Sequence, residues 1–276
     1  MDHKKYNDRV FECMSTYLNY APHFINEKMY KDTGGDELAF SALLAAACML
    51  DTVNSGDDKY LYRKYFIPMV HRLDPSVFED DPYYRTVKFG DLSLGKWTLT
   101  NLTCKAYEAF VCGDPETLPD GRILPRIGYF ERDFRYPAVL EDGREWMTLM
   151  PNETVTIKPH AENARGKVLT FGLGLGYFAF SAAMKQNVRS VTVVERDENA
   201  IGLFTGRILP QFPCRDKIRI VCADAFEYAE KYLEKEKYDF VFTDIWHDPS
   251  DGVELYLKMK GYEKYCRQSE YAYWIE

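Results

Sequence analysis

The chain has 276 residues, 46% of them hydrophobic and 28% charged, a balance that supports packed cores and excludes disordered, collagen-like and disulfide-stapled classes. Its length exceeds that of one ordinary domain and predicts two packed units. The net charge is −8, and acids outnumber bases both in residues 1–160 and in the remainder, so no nucleic-acid partner is expected.

Seven cysteines, none in a C-x-x-C pair, read as reduced thiols and predict a cytoplasmic protein without a Cys-based metal site. His3, His23, His71 and His160 have no Cys or His at ligand spacing, so no metal is expected. The first twenty residues lack the apolar core of a signal peptide. The apolar run Leu38 to Leu50 is too short to cross a bilayer, so no membrane partner is expected.

In chain order, helix-like patterns fall at about 6–20, 35–54, 57–73 and 98–112, giving a helical region over residues 1–120. Aromatic and β-branched runs at 122–130, 135–140 and 144–150 follow, with Asp142-Gly143 between the last two, predicting a β-hairpin or meander within 121–160. From 161 to 276, apolar runs at 167–171, 190–195, 217–222, 238–244 and 269–276 alternate with helix-length segments. That alternation predicts an α/β domain with a doubly wound, mostly parallel sheet.

The first turn of this last region is the most informative. Val168-Leu169-Thr170-Phe171 runs into Gly172-Leu173-Gly174-Leu175-Gly176 and then into a helix near Tyr177, the order that builds a cofactor cradle. Glu195 ends the second strand, Asp224 follows the third and Asp244 closes the fourth, so three acids fall where open α/β sheets bind ligands. Each is also the kind of residue favoured at a helix N-cap; their shared position is the argument. A dinucleotide fingerprint fails from Gly172 but passes from Gly174 with Ala179, so the glycines alone leave a nicotinamide cofactor open. Ala223-Asp224-Ala225 is not part of that fingerprint and tips the reading away from it. No Gly-Lys-Ser/Thr follows the turn, which excludes a P-loop.

On Phe171 to Gly176, Val193-Val194-Glu195, Ala223-Asp224-Ala225 and the strand ending at Asp244, the chain resembles class I S-adenosylmethionine-dependent methyltransferases over residues 151–276. The resemblance implies a Rossmann-like sheet binding S-adenosylmethionine. It places Gly172, Gly174 and Gly176 around the methionine and ribose, Glu195 on the ribose hydroxyls, Asp224 and the Ala225 backbone at the adenine, and Asp244 near the methionine or the acceptor. The family's seven-stranded sheet needs more sequence than residues 172–276, so a shortened sheet is expected. The N-terminal half, or a homodimer partner on the exposed edge strand, would then close the pocket.

Asp244-Ile245-Trp246-His247-Asp248 carries two acids, an imidazole and an indole. His247 has the intrinsic pKa of a general base, and Trp246 could offer a flat wall or a cation–π contact, making Asp244, Trp246 and His247 the candidate catalytic set for methyl transfer to a small-molecule acceptor. This loop is also similar to that of catechol-type O-methyltransferases, where the acid binds a metal. Spermidine synthases supply a second resemblance: Ala138 to Arg144 followed by Pro151-Asn152-Glu153 is similar to their small β-domain, and their catalytic Asp falls at Asp244. Their Gly-Gly-Gly-Asp-Gly turn is Gly-Leu-Gly-Leu-Gly here. Aminopropyl transfer is therefore the alternative activity, and a non-catalytic S-adenosylmethionine-binding module the third.

Overall fold

The structure, a computed structural model, describes residues 3–246 and 249–274. The chain divides into two compact units that alternate along the sequence. Met1–Glu79, Thr103–Tyr136 and Met150–Asn152 form one; Asp80–Leu102, Pro137–Leu149 and Glu153–Glu276 form the other. This interleaving replaces the three consecutive blocks read from the sequence, because strands far apart in the chain pair with one another.

The first unit is built on helices α1 (Lys4–Tyr20), α2 (Glu27–Thr33), α3 (Glu37–Ala47) and α4 (Gly56–Leu61). Asn26, Asp36 and Ser55 cap the last three by accepting from the backbone N–H of Met29, Ala39 and Asp58, which satisfies donors left over in each first turn. The α3 pattern, expected to run to residue 54, stops at Ala47, and Met49 takes φ +57°. After α4 the chain passes through a π turn at Tyr62–Phe66. Pro68 has no N–H for the Lys64 carbonyl, and the Arg122 guanidinium donates to that carbonyl instead, at 2.6 Å. Val10, Phe40, Leu44, Tyr65, Phe66 and Tyr129 lie in this unit's buried core.

In the second unit, α5 (Pro82–Thr86) precedes the strands β1 (Leu92–Leu94), β2 (Trp97–Cys104), β3 (Phe134–Glu141) and β4 (Arg144–Thr148), which form one sheet in that order. The helix expected over 98–112 is therefore wrong: β2 buries Trp97 and Leu99 but not Thr98 and Thr100. Period-two burial and the threonines favour a strand there. Between β3 and β4, Asp142 and Gly143 both take positive φ, 48° and 80°, as a two-residue hairpin turn requires. Residues 151–160, read as the tail of a β-segment, lie in helix α6 (Pro151–Asn163).

The remaining strands are β5 (Gly166–Phe171), β6 (Val188–Glu195), β7 (Ile218–Cys222), β8 (Phe240–Thr243) and β9 (Glu270–Tyr273). All pair in parallel, in the order β7-β6-β5-β8-β9, the arrangement of a Rossmann-like sheet. Helices α7 (Tyr177–Ala183), α8 (Glu198–Leu203), α9 (Ala225–Glu236) and α10 (Pro249–Lys260) connect them. Leu169, Phe171, Val194 and Val241 share a core with Tyr228, Ala229 and Leu233 of α9 and Met259 of α10. Phe178 of α7 stacks on Phe242 at 4.0 Å. Successive strand residues point to opposite faces, so helices cover both and the sheet is doubly wound. Among the described residues the sheet has five strands, with β9 at one edge, and no helix is long and apolar enough to cross a membrane.

Candidate functional site

The carboxyl ends of the parallel strands meet at one level. Gly172 N–H donates to the Val194 carbonyl, Asp244 N–H to Phe171, Ala223 N–H to Glu195 and Trp274 N–H to Thr243, each at 2.9–3.0 Å. These bonds carry the ladder one residue past the strands and align Gly172, Glu195, Ala223, Asp244 and Trp274 along one edge. Strand order reverses on either side of β5, so the crevice opens there.

A cleft along this edge is lined by Gly172, Gly174, Glu195, Asp224, Ala225, Asp244 and Trp246 together. Seven of the nine sequence candidates thus converge. Gly176 does not line it; at φ +74° it leads into α7, and a Cβ there would lie 2.4 Å from the Phe204 ring. His247 lies outside the described residues. Gly172 is needed for the fold itself: at φ +95°, a Cβ would lie 1.8 Å from the Asp244 carbonyl oxygen.

Each acid has a defined local role. Glu195 Oε1 accepts from the N–H groups of Arg196 and Asp197 at 2.7 and 2.9 Å, which fixes the carboxylate at the end of β6. Asp224 Oδ1 caps α9, accepting from Phe226 and Glu227 at 2.9 and 3.0 Å. Capping and lining are compatible, since one oxygen serves the helix and the residue still borders the cleft. Trp246 is buried; its indole N–H donates to the Trp274 carbonyl at 2.5 Å, and the Trp274 indole N–H donates to Thr156 Oγ1 at 2.8 Å.

The sequence pattern did not reveal Trp146, Met147, Glu153, Arg196, Phe226 or Trp274, which also line the cleft. Trp146, Met147 and Glu153 come from β4 and α6, whose approach to the parallel sheet has no local signature. Glu153 is buried and accepts from both Thr148 N–H, at 3.1 Å, and Thr148 Oγ1, at 2.6 Å. Trp146 meets Trp97 edge to face at 5.5 Å, so all four tryptophans of the chain lie in or against this region.

An adjoining recess beyond Glu195 is bordered by Lys96, Trp97, Glu141 and Asp197. Lys96 pairs with Glu141; that hydrogen bond raises its pKa above the ordinary lysine value. Among the described residues, no group of three or more His, Cys, Asp or Glu side chains could hold a metal ion.

No protein-family model matches the chain, and no curated protein sequence does. Solved structures give partial likenesses. Spermidine synthase from Thermotoga maritima is 21% identical, with a TM-score of 0.31 over 39% of this chain and 42% of that one. A spermidine synthase in complex with the transition-state analogue AdoDATO is 21% identical, with a TM-score of 0.32 over 41% and 43%. A protein from Klebsiella pneumoniae assigned as an O-methyltransferase is 16% identical, with a TM-score of 0.28 over 35% and 43%. The chain spans less than half the length of these structures.

Proposed function

We propose that the protein binds S-adenosylmethionine or a close relative in this cleft and transfers a methyl group to a small-molecule acceptor. The supporting observation is the convergence of Gly172, Gly174, Glu195, Asp224, Ala225 and Asp244 along the carboxyl edge of the parallel sheet. When bound, the cofactor supplies a methyl group on a positively charged sulfur.

The residues present fit such a group. Glu195 Oε1 is held by backbone amides, which leaves Oε2 to accept from a ribose diol. Val194, Ala223 and Phe226 give an apolar wall for a flat base beside Asp224. The Trp246 indole N–H is already bonded within the protein, so its ring face can border a cation. Asp244, beside Gly172, is the carboxylate to orient the acceptor or take its proton, and His247, three positions on in the sequence, is the candidate base.

One observation favours the aminopropyl alternative. Glu153, Glu195, Asp224 and Asp244 line the cleft against one cation, Arg196, among the described residues, and Trp146, Trp246 and Trp274 supply aromatic walls. Such a lining suits an amine better than an anionic acceptor.

Calorimetric titration with S-adenosylmethionine, its demethylated product, decarboxylated S-adenosylmethionine, methylthioadenosine and NAD tests the reading. Preference for S-adenosylmethionine and its product supports methyl transfer, and preference for the decarboxylated ligand replaces it with aminopropyl transfer. Binding of NAD alone rejects both. Tight binding without turnover on amine, phenol or carboxylate acceptors leaves a non-catalytic module.

A further inference from the structure

Two of the seven cysteines meet inside the first unit. Cys13 lies midway along α1 and Cys48 follows the last residue of α3, 35 positions further on in the chain. The Cys48 sulfur sits 3.9 Å from the Cys13 carbonyl oxygen, and the two thiols hydrogen-bond to one another. Both pack against the same buried core, and neither is itself fully buried. Sulfurs already in hydrogen-bond contact need only a short approach to reach the roughly 2 Å of a disulfide. The end of α3 can take up that shift, because Met49 leaves the helix at φ +57° and is 89% exposed.

The two thiols are not equivalent. Arg9 stands one turn before Cys13 on α1, with its guanidinium held by Asp58 at 2.6 Å. The Cys48 hydrogen bond and then the Arg9 charge favour an ionised Cys13 and outweigh burial and the charges of Glu12 and Asp58, bringing the thiol down to about 7. Cys48 is pushed up by the same hydrogen bond and by burial. Its place at the C-terminus of α3, where free carbonyls carry negative charge, also disfavours a thiolate. One sulfur is therefore ionised near neutral pH while its neighbour keeps the proton, the pairing that suits an attacking and a resolving thiol. Burial pushes Cys104, Cys112 and Cys214 the other way.

We propose that Cys13 and Cys48 are a modification site, a dithiol that a hydroperoxide converts into a disulfide between α1 and the end of α3, Cys13 attacking the peroxide and Cys48 closing the bond. The Cys13 sulfur attacks one peroxide oxygen, the O–O bond breaks, and the departing hydroxide or alkoxide takes a proton from water, leaving a sulfenic acid. The Cys48 sulfur then attacks the Cys13 sulfur. The S–O bond breaks, and the hydroxide leaves as water with the proton that Cys48 held. The thiol pair gives up two electrons and the peroxide takes them. This chemistry lies within the first unit and does not depend on the cofactor reading.

The test is brief exposure of the full chain to hydrogen peroxide at neutral pH, blocking of remaining thiols with iodoacetamide, and peptide mass spectrometry without reduction. A linked Cys13–Cys48 peptide that dithiothreitol releases is expected, with the other five cysteines alkylated. Cys48→Ser should leave Cys13 as a sulfenic acid that dimedone traps. Cys13→Ser should slow oxidation of Cys48 at least about tenfold, because the ionised sulfur is gone. The linked form should melt several degrees above the reduced one, since the bond closes a long loop of the unfolded chain. Oxidation spread evenly over the seven cysteines, or Cys13 carried to sulfinic acid or bridged elsewhere without a Cys13–Cys48 link, overturns the inference. So does an unchanged rate of Cys48 oxidation in Cys13→Ser, or a linked form that melts below the reduced one, which would show that the bond forms only by distorting the unit.

Discussion

At the scale of single residues, Asp224 joins two explanations that the sequence alone sets against each other. An acid after a strand can be a helix cap or a ligand contact, and Asp224 is a cap that also borders the cleft. Gly172 and Gly176 are likewise explained by close approach to Asp244 and Phe204, with or without a ligand. A residue-scale prediction comes from Cys13 in α1 and Cys48 at the end of α3. Hydrogen bonding from Cys48 lowers the Cys13 thiol to about 7, while Cys48 is pushed up. A lowered pKa means that thiolate forms as pH rises through that value. Alkylation of Cys13 by iodoacetamide, followed by peptide mass spectrometry, should therefore rise with a midpoint near pH 7. Cys48→Ala should move that midpoint up towards the unperturbed value of about 8.5. A midpoint unaffected by the substitution would show that Cys48 is not its cause.

At the scale of elements, the glycine turn is held by segments that its own sequence does not announce. Tyr83 is fully buried and donates to Leu175, and its ring meets Tyr177, Phe180 and Phe212 edge to face at 5.4–6.0 Å. Asp81 caps α5 at Tyr83 and accepts from the Tyr177 hydroxyl at 3.0 Å. Tyr83→Phe keeps the ring contacts and leaves the Leu175 carbonyl without its donor, a cost of about 1–3 kcal/mol. Thermal unfolding should register this as a midpoint lowered by several degrees; an unchanged midpoint would assign the stabilisation to the ring alone. The five parallel strands were legible in the sequence because each is a short apolar run bounded by turn signals. The strand at 97–104 was not, because Trp97, Leu99 and Leu102 also fit a loose helical spacing, and only pairing across the sheet decides between periods of two and 3.6.

At the scale of the whole molecule, the sequence indicates two units but not their boundaries. Composition shifts near residues 120 and 160, whereas the units exchange segments at five points, because β1 to β4 are assembled from residues 92–148 while the intervening chain belongs to the other unit. The parallel-sheet region is thus incomplete when cut at its apparent boundary. A fragment of residues 161–276 lacks Tyr83, Met147 and Glu153, and so loses the partner of Phe180 and one wall of the cleft. Expressed alone, it should show no cooperative thermal transition by circular dichroism, in contrast to the full chain. A sharp transition at the full-length temperature would mean that the earlier segments are dispensable for folding.

The interleaving also imposes an order in time. No residue after Asn152 belongs to the first unit, so all of its chain has been synthesised before the glycine turn is translated. The second unit, by contrast, needs Asp80–Leu102 early and β9 last. During synthesis, β1 to β4 must persist without the parallel sheet whose turn they will cover. Once β4 has emerged, a pause before β9 is translated would therefore lengthen the exposure of Trp146 and Met147, which line a cleft that only the completed parallel sheet can form.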